Sequence, residues 1–280
     1  RRHRRGRRAG DREGAGALVR RIARPSVASL FIEMKFGDQL LATGTAFIAK
    51  GSHGQLLFTN RHNVTGRNQD TGQPMSKMGG VPDRIVIHHN RGGMLGQWVQ
   101  KEELLYNHDK PRWIEHPILK ETGDLVGLPL TSLEGVDIHA FDLSEPDRGL
   151  MVGPGDIVSV IGFPFGMGVE GNLAIWATGF VASELDADYE NKPVFLIDCR
   201  SRQGQSGSAV VAYRSGGMVA LASGGSAAFD GPVEQLMGIY SGRVNAESDL
   251  GRVWKVSAIR TILNMLARPA FGSATFALNV

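Results

Sequence analysis

The stretch Gln203–Val211 reads QGQSGSAVV, a serine among glycines and small polar residues running into an apolar, strand-like segment. A serine hydroxyl is a weak nucleophile, so chemistry at Ser206 requires a histidine base and an orienting acid elsewhere in the chain. The same letters also suit a tight turn before a strand, with no chemistry at all. A base candidate stands in LLFTNRHNV, where His62 closely follows an apolar strand candidate. A ring at a strand end faces a cleft from a rigid backbone, and an imidazole exchanges protons near neutrality. The other histidines read as ordinary. His3 lies in an Arg-rich tail, His53 and His108 have polar surroundings, and adjacent His88 and His89 would face opposite sides of a strand. His116 precedes a proline, and His139 alternates with apolar neighbours. For the acid, Glu121–Leu128 (ETGDLVGL) sets Asp124 just before apolar positions, at the start of a buried strand where it can hold one imidazole nitrogen. Gly-Asp also reads as a plain turn, and Asp142 and Asp156 are rivals for the role.

The elements that would hold these residues are mostly strands. Ser26–Phe36, Leu41–Ala49 and Leu56–Thr59 are extended candidates separated by Gly-containing breaks. Thr65–Pro82 is polar and reads as a loop. Arg84–His88 and Gly96–Lys101 suit a hairpin around Asn90-Arg91-Gly92-Gly93. Leu125–Leu130, Val136–Phe141, Asp156–Ile161, Leu173–Val181, Val194–Asp198, Ala209–Tyr213, Met218–Ala222 and Gln235–Ser241 continue the series. At the end Val256, Ile259, Ile262, Leu263 and Leu266 fall on one helical face, with Ser257 as a candidate cap. Many short strands and one terminal helix predict an antiparallel all-β barrel or sandwich.

Composition narrows the function classes. The chain has 280 residues, 37 of them glycine and 12 proline, which favours strands and turns over a helix bundle. No apolar run approaches the roughly 20 residues that cross a bilayer, and no G-x-x-x-x-G-K-[ST] phosphate loop or zinc-finger spacing occurs. The formal charge of the whole chain is +3 and that of residues 1–24 alone is +8, so the remainder is net −5. The Arg-rich tail suits contact with nucleic acid or an acidic membrane surface, a leader, or a solvated extension. Cys199 is the single cysteine, so no intrachain disulfide forms. That usage fits a reducing cytoplasm, with the periplasm as the alternative.

His62, Asp124 and Ser206, in that order, resemble the catalytic set of chymotrypsin-like serine peptidases. The flanking text is most similar to the bacterial trypsin-like, HtrA-like branch. Gly44–Phe47 with Thr59–His62 resembles its first motif, Asp124–Leu128 the second, and Gly204–Ser208 with the following strand the third. Ile161–Gly166 (IGFPFG) resembles an IGYPxG segment, and Leu236–Gly242 resembles the strand lining the substrate channel. Together the likeness spans roughly residues 26–267.

That resemblance implies two antiparallel Greek-key β-barrels with a C-terminal helix: a barrel in 25–142 carrying base and acid, and one in 143–267 carrying the nucleophile. Residues 1–24 and 268–280 are read as tails. It implies a serine endopeptidase acting through an acyl-enzyme, with the N–H groups of Gly204 and Ser206 as the oxyanion hole and no cofactor or metal. The expected partner is a protein or peptide substrate, joined by an activating partner or further domain; nucleic acid is not expected. The residues after the helix are too few for a PDZ module. Gln205 stands where digestive enzymes carry an aspartate, so activation by a freed N-terminus is not expected. The specificity pocket is expected around Arg200 and Ser201, with walls from Gln203, Tyr240, Ser241 and Gly242. An arginine aimed inward there would favour acidic side chains; one aimed at solvent would not.

The competing class is a domain that kept the fold as a peptide-binding or scaffold protein without turnover. An α/β-hydrolase is excluded, because Gly204–Ser208 lacks the final glycine of G-x-S-x-G and no histidine follows Ser206.

Overall fold

The computed structural model describes residues 22–76, 79–145, 149–170, 172–245 and 247–267. The expected C-terminal tail, and all but the last three residues of the basic tail, lie outside these ranges. Pro25 opens a short helix, α1 (Arg24–Ala28), where its fixed φ and missing N–H suit the first turn. The strand expected from Ser26 therefore begins at Ser29. β1 (Ser29–Phe36), β2 (Gln39–Gly51) and β3 (Gly54–Thr59) form an antiparallel meander, and the one-turn helix α2 (Arg61–Thr65) follows. β4 (Arg84–Arg91) and β5 (Met94–Leu104) pair as the expected hairpin around Gly92 and Gly93. β6 (Tyr106–Asn107) and β7 (Lys110–Pro111) make a small ribbon of their own. β8 (Ile114–Glu115), β9 (Val126–Leu128), β10 (Val136–Asp137) and β11 (Phe141–Asp142) rejoin the main sheet. That nine-stranded sheet runs β10-β4-β1-β2-β3-β9-β8, with β5 beside β4 and β11 parallel to β2.

The second half supplies β12 (Ile157–Gly162), β13 (Ile175–Val181), β14 (Val194–Asp198), β15 (Ala209–Arg214), β16 (Gly217–Ala220), β17 (Ser226–Phe229), β18 (Val233–Arg243) and β19 (Leu250–Lys255). Six of them close into a barrel, β12-β13-β14-β19-β18-β15, while β16 and β17 form a separate hairpin. The described chain ends in α3 (Val256–Asn264) and a short 3-10 turn. The mainly-β architecture with a terminal helix is as expected. Among the described residues no helix is long and apolar enough to cross a membrane.

Alternation along the strands sorts the apolar residues into three cores, because successive side chains face opposite sides of a sheet. Leu30, Ile32 and Met34 of β1, Ala46 and Ile48 of β2, and Leu57 of β3 fill the inside of the first sheet. Val158 and Val160 of β12, with Val210 and Ala212 of β15, fill the barrel. The opposite faces, with Phe47, Phe58, Ile161, Ala209 and Val211, meet in a third cluster between sheet and barrel. Strands buried on both faces explain why these segments read as continuous apolar runs.

α3 completes the third cluster. Ala258, Ile259, Ile262 and Leu263 are buried, and a Cβ on Gly127 would lie 2.7 Å from Leu56 Cδ1 and 3.0 Å from Ile262 Cγ2. The helix that leaves the barrel thus docks on the first sheet. Lys255, not Ser257, occupies its N-cap position, without a side-chain cap. Ser257 lies inside the first turn, where its carbonyl accepts from Thr261 Oγ1 at 3.0 Å.

Candidate active site

His62 was expected at a strand end and lies in the first turn of α2 instead, just beyond β3. There it meets Asp124, which sits two residues before β9 and is 2% exposed. One carboxylate oxygen accepts the His62 backbone N–H at 3.0 Å, and the other lies 2.8 Å from ring Nδ1. Ser241 Oγ donates to that second oxygen at 3.0 Å. Asn60 Nδ2 donates to the Asp124 carbonyl at 2.7 Å, so the acid is held by backbone and side chain alike. A carboxylate can only accept, so this contact selects the neutral tautomer with the hydrogen on Nδ1 and the lone pair on Nε2.

Ser206 sits in a loop pressed against the first sheet. Its carbonyl accepts from Thr45 N at 3.0 Å and from Asn63 Nδ2 at 3.3 Å. Gly207 has φ +86°, and a Cβ there would lie 2.1 Å from the Thr45 carbonyl oxygen, so only glycine lets the loop approach so closely. Thr45 Oγ1 donates to the Gly204 carbonyl at 2.9 Å and accepts from Phe163 N at 3.1 Å. Gln205 is buried, and its Oε1 accepts from Arg202 N at 2.7 Å, bracing the loop from within.

The Gln203 carbonyl accepts from Phe165 N at 2.7 Å. In a planar trans peptide the next N–H points the opposite way, so that of Gly204 is aimed away from Phe165. Among the described residues, no acceptor takes the N–H of Gly204 or of Ser206.

Three adjoining depressions share Ser206. The first, about 80 Å³, is lined by apolar Met34, Leu41 and Pro82 together with His62 and Gly204. The second, about 340 Å³, includes His62, Asp124, Ser241 and Arg252. The third, about 390 Å³, is lined by Phe165, Ser201, Arg202, Gln203, Tyr240, Gly242 and Arg243 beside Ser206. Ser201, Gln203, Tyr240 and Gly242 thus line one hollow. Ser241 turns from it to the acid. Arg200 is the correction: its side chain is 83% exposed and lies 3.8 Å from Asp249, because the chain turns it outward at the end of β14.

Ser201 Oγ and Tyr240 Oη share a short hydrogen bond at the back of the hollow, and burial pushes the tyrosine hydroxyl up to about 12. Burial likewise pushes the Cys199 thiol up to about 11, which leaves it a buried thiol rather than a nucleophile. His88, His116 and His139 are pushed down by burial, and His89 falls to about 4 for the same reason. Asp70, in the loop after α2, meets Arg252 of β19 through two bonds of 3.0 and 2.9 Å, and this pairing lowers its carboxyl. Among the described residues no cluster of three or more His, Cys, Asp or Glu is arranged to hold a metal ion.

Sequence reasoning passed over Thr45, Asn60 and Asn63, although they stand in the same GTAF and TNRHN stretches as the candidate base. It also passed over Arg202, Arg243 and the Asp70–Arg252 pair, for which spacing carries no signal.

A family model described as Trypsin-like peptidase domain matches residues 43–221. A solved serine endoprotease from Yersinia pestis superposes with a TM-score of 0.51 at 15% identity, over 87% of this chain and 64% of that one. This chain therefore spans less than two thirds of that enzyme's length, and the likeness is one of fold. The Rv3671c protease of M. tuberculosis in its active form matches at 15% identity and a TM-score of 0.45, over 88% and 83% of the two chains. Among curated proteins none matches. Matched by the family model across more than half its length, the chain belongs to the trypsin-like peptidase domain family.

Proposed function

We propose that this chain is a serine endopeptidase in which Ser206 is the nucleophile, His62 the base and Asp124 the orienting acid. The observation that carries the reading is the double hold of Asp124 on His62, through backbone N–H and Nδ1, beside a cleft that Ser206 lines. His62 Nε2 takes the Ser206 proton as Oγ attacks a peptide carbonyl, and Asp124 stabilises the imidazolium that forms. The carbonyl oxygen becomes an oxyanion facing the N–H groups of Gly204 and Ser206. Losing one such donor typically costs about 3 kcal/mol in barrier. Collapse breaks the C–N bond, and His62 hands its proton to the departing amine. Water, deprotonated by the same ring, then attacks the acyl-enzyme and releases the acid, restoring the Ser206 hydroxyl.

An extended substrate suits the open side of β18. Its pairing with β15 ends at Ile239, and its register with β19 shifts between Tyr240 and Arg243. Residues 241–243 therefore offer a strand edge beside Ser206, the arrangement by which an added peptide strand is held.

Labelling with a fluorophosphonate serine probe tests the reading. The full chain should be labelled, and His62→Ala and Ser206→Ala should each abolish the signal. Labelling that survives Ser206→Ala, or a folded wild-type chain that stays unlabelled, would sink it. The second result would favour the peptide-binding alternative.

A further inference from the structure

The hollow beside Ser206 differs from the rest of the cleft in its charge. Arg202, in the loop that carries Ser206, and Arg243, at the end of β18, both line it, and no carboxylate does. Arg202 donates through Nη1 to the Ser201 carbonyl at 2.9 Å, leaving the rest of its fork of donors unused. Among the described residues neither guanidinium has an ion-pair partner, although Arg24, Arg61, Arg84, Arg112, Arg200, Arg214 and Arg252 all do. The nearby Asp249 is turned to Arg200, and Asp124 faces the neighbouring depression. The floor is polar too: the Ser201 and Tyr240 hydroxyls meet there, and the Tyr240 ring fills the space that a Cβ on Gly251, 2.6 Å from Cε2, would need. Two arginines without an ion-pair partner, lining one hollow with the Ser201 and Tyr240 residues, can receive a planar anion, which an arginine fork binds in bidentate fashion.

We propose that this hollow selects an acidic side chain, glutamate or aspartate, on the residue whose carbonyl Ser206 attacks. The proposal rests on the peptidase reading and names its substrate class. Arg243 also borders the depression holding His62 and Asp124, so it stands where a side chain entering the hollow must pass. A lysine or arginine there would meet two like charges with no acid to offset them. A leucine would offer the two guanidiniums no acceptor.

The test uses the full chain and matched fluorogenic tetrapeptides that differ only in the residue before the scissile bond: Glu, Gln, Leu or Arg. A hydrogen bond to a charged group is worth enough to give a Glu-over-Gln ratio in kcat/KM of about tenfold to a hundredfold, with Arg the poorest. That ratio should shrink as salt is raised, because Arg202 and Arg243 are both exposed residues. Arg243→Gln and Arg202→Gln should each lower it, and Arg243→Glu should turn the preference toward the Arg peptide. Fluorophosphonate labelling is run on the same preparations. Labelling together with equal or preferred cleavage of the Leu peptide overturns the acidic preference and leaves the peptidase reading standing. Absence of labelling in a folded chain overturns the peptidase reading and this one with it.

Discussion

Asp124 does three things at once: it accepts from the His62 backbone, the His62 ring and the Ser241 hydroxyl. An amide in its place cannot accept at both ends, so Asp124→Asn turns a donor on one of these groups and favours the wrong imidazole tautomer. On the proposed mechanism kcat should fall by about 10⁴ with the fold intact, as for comparable triads, measured as steady-state peptide hydrolysis beside a circular-dichroism spectrum. His89 makes a different prediction. Its ring is 1% exposed, Nε2 is buried without a partner, and burial lowers its pKa to about 4. The unfolded chain binds this proton near pH 6.5 and the folded chain near 4, so stability is full above 6.5 and falls as the pH drops through that window. Between pH 7 and pH 5 the loss from this group should be about 2 kcal/mol. Urea denaturation of the chain and of His89→Gln at the two pH values checks it: the variant should lose less stability on acidification. A variant with the same loss as the parent would refute the assignment. At this scale the sequence was legible where a motif names the residue type. His62, Asp124 and Ser206 stood out because the proposed chemistry requires those types, and the fold brings all three to line one cleft. Arg200 did not resolve, since the direction of a side chain in a loop depends on contacts such as Asp249 that adjacency does not encode. Ser241 was read as a pocket wall for the same reason: the register shift in β18 decides which way it faces.

The elements were legible where both faces of a strand are buried. Val194–Asp198 reads directly because nothing in it competes with an extended backbone, and α3 because its apolar positions keep a helical period. Departures occurred where one residue outweighed the pattern. Pro25 turned the start of the first strand into α1, and the turn after β3 wound into α2, setting His62 on a helix. Ser257 missed the cap position because β19 runs to Lys255, one residue before the helix. The energetic weight of α3 can be measured. Ile262 is fully buried against Gly127 and the cluster between sheet and barrel. Ile262→Ala should cost about 2–5 kcal/mol in urea denaturation. A cost below about 1 kcal/mol, the scale of ordinary surface substitutions, would mean that the helix is not held as described.

The whole molecule is two β structures joined by a shared apolar cluster and by polar ties across it. One tie is Asp70 with Arg252, whose side chains are 56% and 24% exposed. Solvent screening limits an exposed pair to about 0.2–1 kcal/mol. A double-mutant cycle with Asp70→Asn and Arg252→Gln should return a coupling in that range, smaller at high salt and lost only once the pH falls well below the ordinary carboxylate range, because the pairing holds the Asp70 pKa down. A coupling of zero at low salt would show that the bidentate contact does not form in solution. Another tie runs through Thr45. From the middle of β2 it holds Gly204 and Phe163 with its hydroxyl and Ser206 with its N–H, groups that belong to the other half of the chain. The loop that carries Ser206 is thus held in part by bonds from the other half of the chain. On the proposed reading this makes the enzyme its own safeguard. A chain whose halves have come apart loses the Thr45 bonds to Gly204, Phe163 and Ser206, and on that reading its hydrolysis should fall with them.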